Sequence, residues 1–167
     1  KPGTVTQGTM KVERVLPIGD GDVKTILAHF FHDLEDNNAT AQALRDYVPA
    51  QSDWDCMDTL PFSSVRKASA VTYREQGTYL IGAYDFLFAQ KDPVIQRQIE
   101  QQAVGGKRVV VLAHSDRPIA EDLRTMNSTL IALIVLSDPI RKEAPRILEY
   151  FYAQGVDIKI ISGDDVH

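Results

Sequence analysis

Seven consecutive apolar residues, Leu130 to Leu136, restrict this chain more than any other feature. A strand without a polar residue has no face to turn toward water, so the run reads as a strand buried on both sides. An amphipathic helix follows, with Ala144, Ile147, Leu148 and Phe151 along one side. Pro145 fits that helix if it begins near Lys142. Gly155 ends it, and Val156 to Ile161 forms a second buried strand. Strand, helix and strand in this order predict a right-handed crossover joining parallel neighbours.

The preceding residues have a different rhythm. Lys1 to Val15 reads as a Gly/Thr-rich turn followed by a strand through Met10, Val12 and Arg14. Asp20-Gly21-Asp22 signals a turn, and helical spacing then runs from Val23 to Leu34. A second helix is expected from Thr40 to Tyr47, ended by the Val48-Pro49 step. Val65 to Tyr73 alternates as a strand, Gln76-Gly77 makes a hairpin turn, and Thr78 to Ile81 returns. Ala83 to Ala89 and Val94 to Ala103 look helical, Gly105-Gly106 stops the second, and Lys107 to His114 is an apolar strand. The expected class is α+β: a unit spanning residues 20–127, set between two pieces (1–19 and 128–167) of a parallel α/β domain.

Composition narrows the function. With 44% apolar and 25% charged residues in 167, the chain can bury a sizeable core. A net charge of -5 argues against a nucleic-acid backbone as partner but leaves room for a single nucleotide on a local cationic patch. Cys56 is the only cysteine, which rules out an internal disulfide and reads as a buried or incidental thiol. No stretch reaches the ~18 apolar residues of a membrane span, and the amino terminus has no signal-peptide pattern, so a soluble chain is expected.

Three groups of residues carry candidate chemistry. Asp138 follows the first buried strand and Ser162-Gly163-Asp164-Asp165 the second, where carboxylates suit Mg²⁺ and a substrate phosphate. From spacing alone they read more readily as a helix cap and a turn. In Pro61-Phe62-Ser63-Ser64-Val65-Arg66-Lys67, an exposed Phe62 offers a stacking face for a purine and Lys67 a charge for phosphate. Otherwise Phe62 is core and the charges are solvated. Arg108, after Gly105-Gly106, is a phosphate clamp or a surface charge. His29 and His32 have a metal-like spacing without a third ligand, which favours a core or helix-surface role. Gly19-Asp20-Gly21-Asp22 lacks the loop and closing Glu of a calcium site and is read as a turn.

Taken together these segments resemble the P-type cation-transporting ATPases. Lys1-Pro2-Gly3-Thr4-Val5-Thr6-Gln7-Gly8 is similar to the run that follows their phosphorylated aspartate. Phe62-Ser63-Ser64-Val65-Arg66-Lys67 resembles their nucleotide-domain motif, and Ile81-Gly82-Ala83-Tyr84-Asp85 stands where they have Lys-Gly-Ala-Pro-Glu. Arg108 falls in a strand like their Arg-x-Leu-x-x-Ala. Asp138-Pro139-Ile140-Arg141 is similar to Asp-Pro-Pro-Arg, and Ser162-Gly163-Asp164 to Thr-Gly-Asp. The motifs run end to end in the family's order.

The resemblance implies a nucleotide-binding domain, an antiparallel twisted β-sheet with flanking helices, inserted between parts of a parallel α/β domain of the haloacid-dehalogenase kind. It implies ATP held by Phe62, Ser64, Lys67, Gly82 and Arg108, with Phe62 on adenine, Lys67 and Arg108 near the phosphates, and Gly82 in the pocket wall. Thr4, Asp138 and Asp164 would lie near the transferred phosphate and Mg²⁺. The nucleophilic aspartate would precede Lys1, so this chain is expected to bind ATP or ADP without forming the phosphoenzyme. Its partners would be the remaining domains and transmembrane helices of a pump, with the chain on the cytoplasmic side, in contact with neither nucleic acid nor membrane. Pro2, Ile81 and Ser162 depart from the family pattern, and Asn38-Ala39-Thr40-Ala41 lacks glutamates that some relatives use against adenine. Weak affinity is therefore expected. The Phe-Ser-Ser-x-Arg-Lys motif and the absence of a heavy-metal-type His-Pro pair favour a calcium, magnesium or monovalent transporter. A free-standing phosphatase of the same α/β kind would need an Asp-x-Asp motif closing its first strand, and the strand around Met10, Val12 and Arg14 does not end in one. A non-catalytic binding module would instead bury Phe62 with no pocket beside it.

Overall fold

The computed structural model describes residues 10–138. The expected second strand (Val156 to Ile161), the helix before it, Thr4 and Asp164 lie outside the described residues. The strands are β1 (Lys11–Pro17), β2 (Cys56–Leu60), β3 (Ala68–Tyr73), β4 (Gly77–Gly82), β5 (Arg108–Ser115) and β6 (Thr129–Ser137). The helices are α1 (Val23–Asp33), α2 (Ala39–Tyr47), α3 (Tyr84–Leu87) and α4 (Pro93–Gln102). The strands form one sheet in the order β1-β6-β5-β4-β3-β2, and every adjacent pair is antiparallel.

Local chemistry sets the helix boundaries. The Asp22 carboxylate accepts from the Thr25 N–H at 3.4 Å and the Thr25 hydroxyl at 2.7 Å, starting α1 where the sequence shows Asp-Gly-Asp. Asn38 caps α2 by accepting from the Ala41 N–H at 2.8 Å. Asp92 caps α4, with Pro93 in its first turn, where a missing N–H costs nothing. After α4 the chain turns through Gly105, whose φ of 77° suits glycine.

Alternate side chains of the central strands feed two cores, one on each face of the sheet. On one face Val71, Ile81, Leu112 and Ile134 pack against Leu27, Phe30 and Leu44 of α1 and α2. On the other, Leu80, Val111 and Leu133 pack with Tyr84, Leu87 and Ile95 from α3 and α4, and with Leu123 and Met126. Among the described residues, no helix is long and apolar enough to cross a membrane.

This arrangement corrects one sequence expectation. Leu130 to Leu136 is a strand buried on both faces, but β6 pairs antiparallel with β1 on one side and β5 on the other. Both of its hydrogen-bonding edges are therefore taken within the described sheet; the strand expected from Val156 to Ile161 lies outside the described residues. The apolar run reports two-sided burial, and here antiparallel strands with helices on both faces provide it. The same pairing places β1, before residue 20, and β6, after 127, in the sheet of the intervening unit. Two smaller differences concern β2 and β3. Strand β3 begins at Ala68, because Ser64 to Arg66 form a turn with Val65 fully outside. Strand β2, an edge strand with exposed Met57, Asp58 and Thr59, had no apolar alternation to reveal it.

Candidate functional site

A cleft of about 420 Å³ opens where α2 and the segment before β3 overhang the sheet. Its floor is built from Ser69 of β3, Ile81 and Gly82 of β4, and Val110 of β5. Thr40, Ala41 and Leu44 of α2 form one wall, and Phe62 and Lys67 another.

Phe62 is 43% exposed at the edge of this cleft, so its ring is not a core element. The segment that carries it is tied down on both sides. The Phe62 N–H donates to the Asp36 carboxylate at 2.9 Å, linking it to the connection between α1 and α2. The Arg66 guanidinium donates to the Pro61 carbonyl through Nε at 3.1 Å and also through Nη2. The Arg66 N–H donates to the Ser63 hydroxyl at 3.1 Å, and the Lys67 N–H to the Ser63 carbonyl at 2.7 Å.

Lys67 follows in the left-handed region, φ 54°, which few non-glycine residues adopt. Its carbonyl accepts from the Ala83 N–H at 3.1 Å, stitching the entry of β3 to the exit of β4. Gly82 lies directly opposite Ala68 in this pair. A Cβ on Gly82 would stand 2.5 Å from the Ala68 Cβ and 2.5 Å from the Lys67 carbonyl oxygen, so only glycine fits.

Two cations neighbour one another at the start of β5, and the fold separates their tasks. Lys107 donates to Glu13 at 2.8 Å. Glu13 is the extra residue of a bulge in β1, between Val12 and Arg14, which re-aims its side chain. The Lys107 hydrogen bond, with others from Ser137 and Arg14, brings the Glu13 carboxyl down to about 2 against the penalty of burial. Arg108 instead reaches across the cleft, and its Nη1 donates to the Thr40 hydroxyl at 2.6 Å.

Of the residues singled out from the sequence, Phe62, Lys67, Gly82 and Arg108 converge on the cleft, together with Ile81. Ser64 does not; it sits in the exposed turn beyond Ser63 and is absent from the lining. Asp138 follows β6, outside the lining but at the same end of the sheet, since Arg108 is in register with Leu136. Sequence reasoning missed Asp36 as a cleft residue and the link from Thr40 to Arg108. Both are contacts between segments distant in the chain, which no local pattern in the sequence signals.

The remaining candidates have structural roles. His29 is buried in the core, stacked on Trp54 at 3.8 Å between ring centroids, and its Nδ1–H donates to the Thr25 carbonyl at 2.8 Å. His32 is exposed and pairs with Asp33. Burial, followed by nearby Asp33, raises the Cys56 thiol pKa, which disfavours the reactive thiolate. Among the described residues, no three His, Cys, Asp or Glu side chains converge to hold a metal ion. The cleft thus brings together an exposed aromatic ring and the cationic side chains of Lys67 and Arg108.

No family model matches the chain. In fold, it is similar to the crystal structure of a zinc-transporting PIB-type ATPase in its E2.Pi state, with a TM-score of 0.59 and 18% identity, covering 92% of this chain and 23% of that one. In sequence it is 37% identical, over 99% of its length, to the "Probable cation-transporting ATPase exp7" of Streptococcus pneumoniae serotype 4, covering 22% of that protein. It is 34% identical, again over 99% of its length, to the "Calcium-transporting ATPase CtpE" of Mycolicibacterium smegmatis, covering 21% of it. The chain belongs to the P-type cation-transporting ATPase family. It spans about a fifth of the length of the curated relatives it matches.

Proposed function

We propose that this chain is the ATP-binding part of a P-type cation-transporting ATPase, held on the cytoplasmic side of the membrane and partnered by the other domains and transmembrane helices of the pump. The observation that carries this reading is the exposed ring of Phe62 at a cleft that also collects Lys67 and Arg108. Adenine would stack on Phe62 above the apolar floor of Ile81 and Val110, with the phosphates directed toward Lys67 and Arg108. Gly82 lines the floor through its backbone, while a Cβ there would collide with Ala68 and the Lys67 carbonyl. A non-catalytic module that ignores nucleotide would have no use for an exposed aromatic residue beside a cleft.

In the whole pump, the bound ATP would pass its γ-phosphoryl group to an aspartate, with Thr4, Asp138 and Asp164 near the transferred group and Mg²⁺ neutralising its charge. The flanking residues would belong to the α/β domain that performs this step. Such transfer depends on in-line positioning and charge neutralisation, so the contribution of this chain is to hold and present the nucleotide.

A calorimetric or NMR titration of this chain with ATP, with and without Mg²⁺, tests the reading. Saturable binding in the millimolar range or tighter, lost in Phe62→Ala, is the expected result. Absence of binding by the unmodified chain would overturn the nucleotide role and leave only the family assignment.

A further inference from the structure

Lys107 and Arg108 follow a two-glycine turn, Gly105-Gly106, whose φ values are 77° and 82°. Arg108 is the first residue of β5 in register with β6, opposite Leu136. A strand that starts after so permissive a turn frays unless something ties it down. Lys107 supplies the tie. It is extended, with φ −76° and ψ 155°, so its side chain and that of Arg108 leave the backbone on opposite sides. Arg108 overhangs the cleft, whereas Lys107 is absent from the lining and crosses the end of β6 to reach Glu13 in β1. The Glu13 side chain is only 10% exposed, and its Oε2 accepts from Lys107 Nζ at 2.8 Å and from Arg14 Nη2 at 2.9 Å. A carboxylate held in that way is a fixed anchor, not a solvated charge.

We propose that Glu13 is a positioning residue for the nucleotide phosphates: its bond to Lys107 fixes the start of β5, and with it the point from which Arg108 reaches over the cleft. The inference rests on the nucleotide reading above. Arg108 is already held at its tip by the Thr40 hydroxyl at 2.6 Å, and the Lys107–Glu13 bond holds its backbone from the other face of the sheet. A long side chain on an untethered backbone spreads its guanidinium over many positions, and binding must then order it at an entropic cost. Glu13 touches no ligand in this scheme; it acts through Lys107 and Arg108. Its charge makes the scheme easy to tell from a field effect. Removing an acidic group near the cleft would, by field alone, favour an anionic ligand. Losing the tether acts in the opposite direction.

The test measures ATP and adenosine affinities by calorimetry on the unmodified chain, Glu13→Gln, Lys107→Met and Lys107→Arg. Glu13→Gln should weaken ATP by about fivefold and leave adenosine unchanged. Lys107→Met removes the same bond from its more exposed partner, so it carries the test if Glu13→Gln does not fold, and it should show the same split. Lys107→Arg keeps a cation with donors and should restore most of the ATP affinity. On an Arg108→Ala background, Glu13→Gln should cause no further loss, because the residue it positions is gone. ATP binding that is unchanged or tighter in Glu13→Gln, equal weakening of ATP and adenosine, or a full loss that persists without Arg108 would each overturn the role of Glu13. If the unmodified chain binds ATP, Phe62→Ala abolishes it and Glu13→Gln does not weaken it, the nucleotide reading stands and only the positioning role fails. If the unmodified chain binds no ATP, both fall together.

Discussion

Lys67 enters the cleft from a backbone conformation with φ 54°, and that geometry makes its two contributions separable. Lys67→Ala and Lys67→Gly both remove the charge, so both should weaken ATP and ADP more than adenosine. They should differ in stability, because glycine relieves a left-handed conformation that costs other residues about 1 kcal/mol. In urea unfolding, Lys67→Gly should be the more stable of the pair; equal stabilities would show that the backbone carries no strain there. Phe62→Ala should lose about 1–3 kcal/mol of adenine affinity while leaving the fold intact, since the ring is 43% exposed. Gly82→Ala should do the reverse, destabilising the chain by about 1–3 kcal/mol because backbone and Cβ atoms of Ala68 occupy the space. At this scale the sequence motifs singled out Phe62, Lys67, Gly82 and Arg108, which the structure gathers around one cleft because each lies at or near the end of a strand. Ser64 came with the same motif, but the turn at Ser64 to Arg66 carries it away from the cleft. Asp36 and Thr40 were illegible as partners, since their contacts cross 26 and 68 positions of chain.

Among the elements, the helices were the most legible: the stretches Val23 to Leu34, Thr40 to Tyr47 and Val94 to Ala103 each fall within about a residue of the helices that Asp22, Asn38 and Asp92 cap. Strand β6 was legible as a doubly buried strand but not in direction, because an apolar run encodes burial and not the polarity of its neighbours. Edge strand β2 left almost no trace, having one bonded edge and an exposed middle. The bulge in β1 leads to a pH prediction. The Glu13 carboxyl is lowered from 4.5 to about 2, so its contribution to stability is fully present above pH 4.5 and is lost as pH falls toward 2. Glu13→Gln should cost about 1–3 kcal/mol at pH 7 and much less near pH 2, measured by denaturant unfolding at both values. An equal cost at both would mean that Glu13 matters by packing rather than charge.

For the molecule as a whole, the cleft joins α2, the Phe62 segment and three strands, so the nucleotide proposed to bind there should stabilise the chain against global unfolding. ATP at about ten times its Kd should add about 1.4 kcal/mol, or about 5 °C in thermal unfolding, and Phe62→Ala should erase the shift. A wild-type melting temperature insensitive to ATP would count against ligand binding to the folded state. The apolar and turn patterns were enough to expect helices around a sheet; its strand order was not legible, because it depends on pairings between distant segments. That order has a mechanical consequence. Lys11 and Ser137 are register partners on adjacent antiparallel strands, so the described residues begin and end side by side. Tension drawing those two ends apart would load the β1–β6 hydrogen bonds one after another, as in a zipper, instead of all at once in shear. Such a module yields to a small pulling force at its attachment while the strands beneath the cleft stay paired.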